Sequence, residues 1–175
     1  MGKTAFVLTI CEHVAVEQQI PVAVFSLEMT TRQVAQRMLF SRARVSSHRM
    51  RTRGSANVEW ANLGIAAGPM AEAKIFLETH NISFSEMQTK AKHLLGEHQI
   101  GLLAIDYFQL IGKPEETVSF QQEVSFISRS LKDLAKELGI PVVVVSQLSR
   151  QVELDSGGPR PQLSDFGEVQ ALERN

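Results

Sequence analysis

Three short, almost unbroken apolar segments limit most strongly what this chain can fold into. They are 20–27 (IPVAVFSL), 100–105 (IGLLAI) and 140–145 (IPVVVV), and each is rich in valine or isoleucine or leucine and has the length of a strand. Continuous rather than alternating apolar character is typical of strands that are covered on both faces, as in a parallel sheet. Because helical stretches separate the segments, the sequence predicts βαβ units in a three-layer α/β domain.

Apolar spacing and capping residues predict the helices between these segments. One apolar stripe recurs every three or four residues at Phe120, Val124, Ile127, Leu131, Leu134 and Leu138. This spacing predicts a helix that ends at Gly139. Ser83 followed by Glu86 predicts a capping box at the start of another helix. Helices are also predicted over 5–18 and 31–44, and Trp60 is expected to fill the core from a short helix.

The composition is that of a globular domain without a membrane span. The 175 residues suit one domain, 43% of them are apolar, and no apolar run approaches the ~20 residues that a membrane span needs. The formal charge of −1 lacks the general basicity of many nucleic-acid-binding proteins. Seven arginines without an acid occur between residues 30 and 58. This stretch is interpreted as a solvated surface, with a phosphate or partner contact as the alternative.

The cysteine and histidine content indicates a reducing environment and no zinc site. Cys11 has no second cysteine to pair with, and the first residues lack the apolar run of a secretory signal, so a cytoplasmic location is expected. The five histidines are scattered and do not have the spacing of metal ligands. Cys11 itself is predicted to be a small core residue on an apolar helix.

Polar residues follow each of the three apolar segments. Glu28 comes after the first, Asp106 after the second, and Ser146 and Gln147 after the third. Ligands of open parallel sheets bind beyond the carboxyl ends of the strands, so these residues are candidates for one shared site. Helix capping is the alternative role for Glu28 and Asp106.

The tripeptide Gly2-Lys3-Thr4 matches the second half of a P-loop and is followed by an apolar helix. In that motif glycine lets backbone amides approach a phosphate, lysine reaches the β and γ phosphates, and the threonine hydroxyl binds Mg²⁺. The first half of the motif is absent from the sequence, and GKT alone is a weak signal. Asp106 strengthens it as a candidate Walker B acid, with Glu28 as the base for the attacking water and Gln147 as a sensor of the γ-phosphate.

Five segments together resemble the RecA-like ATPase domain of DnaB-type replicative DNA helicases. They are MGKTAF, VAVFSLEMT, LLAIDYFQL, QQEVSFISRSLKDLAKEL and PVVVVSQLSRQVE, in the same order and at similar distances over nearly the whole chain. The resemblance implies a RecA-like P-loop NTPase with a mainly parallel sheet. It also implies ATP and Mg²⁺ as cofactors, a homo-hexameric ring, and translocation along single-stranded DNA. Implied protein partners are other helicase subunits and a primase or loader.

The resemblance also assigns roles to single residues. The implied nucleotide-binding residues are Gly2, Lys3, Thr4 and Arg150. The implied catalytic residues are Glu28, Asp106 and Gln147, with Thr4 and Asp106 holding Mg²⁺ through water. The implied DNA-binding residues are Ser164, Asp165, Gly167 and Glu168. The family typically continues this PxLSD segment with Leu-Arg-Glu-Ser-Gly, whereas here FGEVQ follows, so contacts of the loop to phosphate are expected to be weaker.

The resemblance further implies that a strand precedes Met1 and that strands with an arginine finger follow Asn175. Residues 1–175 are therefore expected to form a single partial domain that by itself binds nucleotide weakly and hydrolyses it negligibly. Two alternatives stay open at this point. One is another RecA-like ATPase, such as a recombinase or a clock-type ATPase. The other is a degenerate, non-catalytic module that binds helicase subunits.

Overall fold

The computed structural model describes residues 2–46, 50, 57–80, 82–106 and 120–146, with the backbone alone at 57 and 120–125. Five helices and four strands lie within these ranges and are numbered here in chain order. The helices are α1 Lys3–Val16, α2 Thr31–Ala43, α3 Asn57–Glu72, α4 Phe84–His98 and α5 Phe120–Leu138. The strands are β1 Val22–Ser26, β2 Ile75–Glu78, β3 Leu102–Asp106 and β4 Val142–Val144.

The four strands form one parallel sheet in the order β2-β1-β3-β4. The three apolar segments become β1, β3 and β4, as predicted. Strands β1 and β4 are each three residues shorter than their segments, whereas β3 begins two residues later than its segment and continues one residue further, to Asp106. Strand β2 (IFLE) was not predicted, because four residues are too few for periodicity to distinguish from a loop. Its pairing with β1, from Val22 opposite Ile75 to Phe25 opposite Glu78, is what makes it a strand.

Helices cover the two faces of the sheet, and residue alternation along β1 and β3 decides which side chains each face receives. Val22, Val24, Leu102 and Ala104 pack against α1 and α2 in one buried cluster. Ala23, Phe25, Leu103 and Ile105 pack against α4 and α5 in another. The predicted three-layer α/β arrangement is confirmed, and burial on both faces explains why these strands are continuously apolar.

Helix ends follow the predicted signals closely. At the start of α4 the Ser83 hydroxyl accepts a hydrogen bond from the Glu86 amide at 3.3 Å, and the Ser83 amide donates to Glu86 Oε2 at 2.8 Å. Helix α5 ends at Gly139, which has a φ of 66° and whose amide donates to the Ala135 carbonyl at 3.0 Å. Left-handed backbone of this kind is favourable for glycine and terminates the helix.

Two predictions about core residues have opposite outcomes. Cys11 is fully buried, as expected, and burial raises the pKa of its thiol to about 12. The prediction for Trp60 is wrong: its helix α3 spans 16 residues, and Trp60 is 60% exposed. Helix α3 instead packs through Leu63 and Ala66 on its other side, since a surface helix buries only one stripe. Within the described ranges, no helix combines the length and the apolar character required to cross a bilayer.

Candidate functional site

The start of helix α1 lies at the carboxyl edge of the sheet. Helix α1 ends at Val16 and β1 begins at Val22, so the helix runs back across the sheet, antiparallel to the strands. Its 14 residues span roughly 21 Å at ~1.5 Å per residue, about the length of β1 and the turn that follows it. Lys3 and Thr4 are thereby brought to the edge at which β1 and β3 end.

Gly2 precedes α1 in a conformation that suits glycine. Its φ is 125° and its ψ is 7°, a region that residues with a Cβ rarely adopt, and its carbonyl accepts from the Phe6 amide at 2.9 Å. Lys3 is exposed, Thr4 is half-buried, and the first turn contains no acidic side chain. The amides of the first three residues of α1, 3–5, have no partners within the helix, so they provide positive potential at the sheet edge, where an anion such as phosphate can bind.

Asp106 is the last residue of β3 and is only 2% exposed. Neither of its carboxylate oxygens has a hydrogen-bond partner in the described part of the chain. Asp106 follows the alternation of Leu102 and Ala104, so it lies on the face covered by α1 and α2. A buried carboxylate to which no described residue donates a hydrogen bond is costly, and it fits a site for a hydrated cation.

Glu28 and Thr4 line the same cleft between α1 and α2. The cleft has a volume of about 960 Å³, and Glu28 stands exposed in it, two residues after Ser26, the register partner of Asp106. The hydrogen bond from the Leu27 amide to the Asp106 carbonyl, at 2.8 Å, keeps this part of the chain against the end of β3. Glu28, Thr4 and Asp106 thus share one face and one edge of the sheet, although Lys3 and Asp106 do not line the cleft itself.

Ion pairs between α1 and α2 lie on the same side of the sheet. Arg42 of α2 donates to Glu12 of α1 and, at 2.9 Å, to Glu17 just after α1. Burial lowers the pKa of Arg42, but the two carboxylates outweigh it and hold the pKa above its ordinary value. Glu12 is 7% exposed and lines the cleft with Thr4 and Glu28. These ion pairs therefore help to fix the two helices that form the walls of the site.

Two kinds of residue were not recognised from the sequence. Ser26, the partner of Asp106 in the register, was passed over as part of an apolar segment, although alternation places it on the same face. Arg37 and Arg42 belong to the stretch that the sequence predicts to be solvated surface. Arg37 is exposed, as predicted, and also lines the cleft, whereas Arg42 is half-buried and forms the ion pairs between the helices. The exposure of Arg32 and Arg44 agrees with that surface interpretation.

Several predicted site residues cannot be placed in this site. Gln147, Arg150, Ser164, Asp165, Gly167 and Glu168 lie outside the described residues. Of the two polar residues predicted to follow the third apolar segment, only Ser146 is described, and it is half-buried. Val145, just before it, donates its amide to the Ile105 carbonyl at 2.9 Å, so this strand end lies beside Asp106. In the described ranges, no group of three or more histidine, cysteine, aspartate or glutamate side chains could hold a metal ion directly.

Comparisons with known proteins connect this site to one family. A family model described as the DnaB-like helicase C terminal domain matches residues 1–175. The chain is 41% identical to the replicative DNA helicase DnaB of Geobacillus stearothermophilus over 100% of this chain and 39% of that protein. It is 43% identical to replicative DNA helicase DnaB of a Nostoc species over 98% of this chain and 20% of that protein. The chain thus spans well under half the length of these relatives.

Solved structures share the fold. A DnaB-like replicative helicase, described with its interactions with primase, superimposes with a TM-score of 0.87 at 30% identity. The match covers 99% of this chain and 43% of that one. A solved ATPase domain gives a TM-score of 0.86 at 29% identity, covering 99% of this chain and 62% of the other. The α/β fold with its parallel sheet is therefore that of RecA-like ATPase domains of such helicases.

Proposed function

The chain belongs to the DnaB-like helicase C-terminal domain family, and from this premise we propose that it is the ATP-hydrolysing motor of a replicative DNA helicase. The proposed activity is hydrolysis of ATP with Mg²⁺, coupled to movement along single-stranded DNA and separation of the duplex. Family membership argues against a recombinase or a clock-type ATPase. A non-catalytic module of the helicase family is the outcome that the experiment below has to exclude.

The observation that carries the proposal is the buried carboxylate of Asp106, at the end of β3 and on the sheet face that α1 covers. A carboxylate in this position has no structural partner in the described part of the chain. It lies on the face covered by α1, whose first turn offers an exposed lysine, a threonine hydroxyl and unpaired backbone amides. Anion-binding and cation-binding groups at one sheet edge are what a Mg²⁺-nucleotide requires.

The side chains have separable roles in this proposal. Lys3 and the first amides of α1 bind the β and γ phosphates, while Thr4 and Asp106 hold the cation, Asp106 through water. When bound, Mg²⁺ neutralises charge on the phosphates during transfer. Glu28, exposed in the cleft beside Thr4, orients a water molecule and accepts its proton on a carboxylate oxygen as the water attacks the γ-phosphate. The buried sheet edge excludes other water from Asp106.

The proposal includes partners that the relatives suggest. We infer single-stranded DNA as the track, other copies of the subunit as neighbours in a hexameric ring, and a primase as a further partner. The last inference follows from the solved helicase described with its primase interactions. The exposure of Lys3 and Glu28 supports sites to which a neighbouring subunit has access.

Three substitutions in the native protein that contains this chain test the assignment. Glu28→Gln is expected to lower DNA-stimulated ATP hydrolysis by about 10²- to 10⁴-fold with little change in nucleotide affinity, since only proton transfer is removed. Asp106→Asn is expected to abolish the Mg²⁺ dependence of nucleotide binding. Glu72→Gln, at the exposed end of α3, is the control and should match the native protein. Steady-state phosphate release and nucleotide titration give both quantities.

Two results would contradict the proposed function. One is native-like hydrolysis by Glu28→Gln, which would remove Glu28 from the reaction. The other is a native protein that neither binds Mg²⁺-ATP nor hydrolyses it when single-stranded DNA is added. In that case the alternative of a non-catalytic interaction module would hold.

A further inference from the structure

Ser26 and Asp106 form a polar pair in an otherwise apolar part of the sheet. They are register partners at the carboxyl ends of β1 and β3. All other residues of these two strands are apolar and no more than 6% exposed. Because partners in a parallel pair point to the same face, both side chains lie on the face that α1 and α2 cover.

Both side chains of this Ser26–Asp106 pair are buried and lack hydrogen-bond partners in the part of the chain that the structure describes. Ser26 is 1% exposed and Asp106 is 2% exposed. Among the described residues, no hydrogen bond is made by Ser26 Oγ or by either Asp106 carboxylate oxygen, so the two side chains do not bond to each other either. Buried polar atoms are normally satisfied by protein or by ordered water. Three such atoms together therefore point to a polar occupant between or beside them.

The chemistry of the two groups restricts that occupant. An ionised carboxylate only accepts hydrogen bonds, whereas a hydroxyl donates one and accepts others. A water molecule satisfies both, because it donates to the carboxylate and accepts from the hydroxyl. One lone pair of that water remains for a cation. The backbone hydrogen bond from Leu27 to Asp106, at 2.8 Å, prevents the two strand ends from separating.

We propose that Ser26 is a positioning residue whose hydroxyl, together with the Asp106 carboxylate, holds one water molecule of the hydration shell of a divalent cation. This inference rests on the proposed function and adds a residue to it. The Ser26 hydroxyl donates to the water, the water donates to Asp106, and its second lone pair faces the cation at the start of α1. Ser26 thereby fixes the direction in which Asp106 presents the water, without contact to nucleotide.

The role of Ser26 is tested by measuring the affinity for the cation separately from the affinity for the nucleotide. Mn²⁺ is titrated into the native protein with a non-hydrolysable ATP analogue, and free Mn²⁺ is followed by electron paramagnetic resonance. Ser26→Ala and the nearly isosteric Ser26→Cys are both expected to weaken Mn²⁺ binding by about 10-fold, the lower range for loss of a supporting hydrogen bond at a metal site. Ser128→Ala, which removes another buried serine from α5, should bind Mn²⁺ as the native protein does.

Two further readouts distinguish positioning from a structural role. Without the cation, Ser26→Ala should keep the native affinity for the analogue and a melting temperature at or above the native value, because its hydroxyl has no hydrogen-bond partner to lose among the described residues. Native-like Mn²⁺ affinity in Ser26→Ala overturns the inference. So does a loss of cation-free stability or failure to fold, since the hydroxyl would then support the core.

The same Mn²⁺ titration distinguishes failure of the proposed function from failure of the role proposed for Ser26. If the native protein shows no Mn²⁺-dependent binding of the analogue, the proposed function fails and the inference fails with it. If native binding depends on Mn²⁺ and is lost in Asp106→Asn but kept in Ser26→Ala, the inference alone fails.

Discussion

At the scale of the residue, the central strands tolerate polar side chains only at their carboxyl ends. Ser26 and Asp106 stand where β1 and β3 leave the core, and the preceding positions are apolar without exception. Burying a carboxylate without a hydrogen-bond donor destabilises the folded state by about 1–3 kcal/mol or more. Such a residue is expected only where another interaction compensates for this cost. In the proposed function, binding of a hydrated cation offsets this cost.

Glu78 is a second carboxylate whose surroundings change its protonation. It ends β2 and lines an apolar cavity of about 490 Å³ together with Lys90 and His93 of α4. Burial raises its pKa, but the Lys90 ammonium and His80, which contacts Glu78 Oε1 at 2.9 Å, outweigh burial and lower the pKa below the ordinary 4.5. Glu78 therefore stabilises the fold fully above pH 4.5, and this contribution is lost as pH falls through the lowered pKa.

Glu78→Gln is accordingly expected to be less stable than the native protein by about 1 kcal/mol near pH 6, since one partly buried ion pair is lost. The difference should shrink as the pH falls below 4.5. Urea unfolding at several pH values measures it, with Glu72→Gln as an exposed control. A difference that is constant down to pH 3 would show that Glu78 acts through packing rather than charge.

At the scale of the element, the relation of α1 to α2 decides whether Thr4 and Glu28 face one cleft. Apolar residues of both helices pack on the same face of the sheet. Beyond that contact, Arg42 pairs with Glu12 and Glu17, and the Thr9 and Ser41 hydroxyls approach to 3.5 Å. The walls of the cleft are thus joined by charge as well as by apolar packing.

Arg42→Met tests the ion pairs between these helices. We expect a loss of about 1.5–3 kcal/mol in the free energy of unfolding, because Glu12 stays buried without its charged donor. Adding Glu12→Gln to Arg42→Met should recover part of the loss, since the uncompensated charge is then removed. Arg32→Met, at an exposed position of the same helix, is the control. Equal stability of Arg42→Met and Arg32→Met in urea unfolding would contradict the expectation.

At the scale of the whole molecule, the described residues leave the site open on one side. Lys3 and Glu28 are both exposed, and the cleft wall formed by α2 carries the exposed Arg37. In a closed ring each subunit presents such a side to its neighbour. In the proposed hexamer, ATP hydrolysis is therefore expected to depend on neighbouring subunits.

Mixing subunits tests this assembly. Glu28→Gln subunits are exchanged in rising fractions into the native protein, and DNA-stimulated ATP hydrolysis is measured. If neighbours depend on one another, activity at an equal mixture should fall well below half of the native rate. A mixture with Glu72→Gln subunits should keep the native rate throughout. A strictly linear decline with the Glu28→Gln fraction would indicate independent sites.

The sequence by itself determined the fold class, three of the four described strands and the helices between them. It did so because a strand buried on both faces must be continuously apolar, and because capping residues such as Ser83 and Gly139 act on their own neighbours. It also identified Glu28 and Asp106 as site candidates, since they follow such strands. These signals are local, so they can be recognised without knowing which residues pack against them in the folded protein.

Only the tertiary structure decided which side chains meet. Strand β2 is too short to carry a pattern and exists through its pairing with β1, and Trp60 lies on the side of α3 that the core does not reach. The register of β1 against β3 places Ser26 opposite Asp106, and the packing of α1 on α2 brings Thr4 to the cleft of Glu28. Registers and helix contacts join residues far apart in the chain, so no local pattern encodes them.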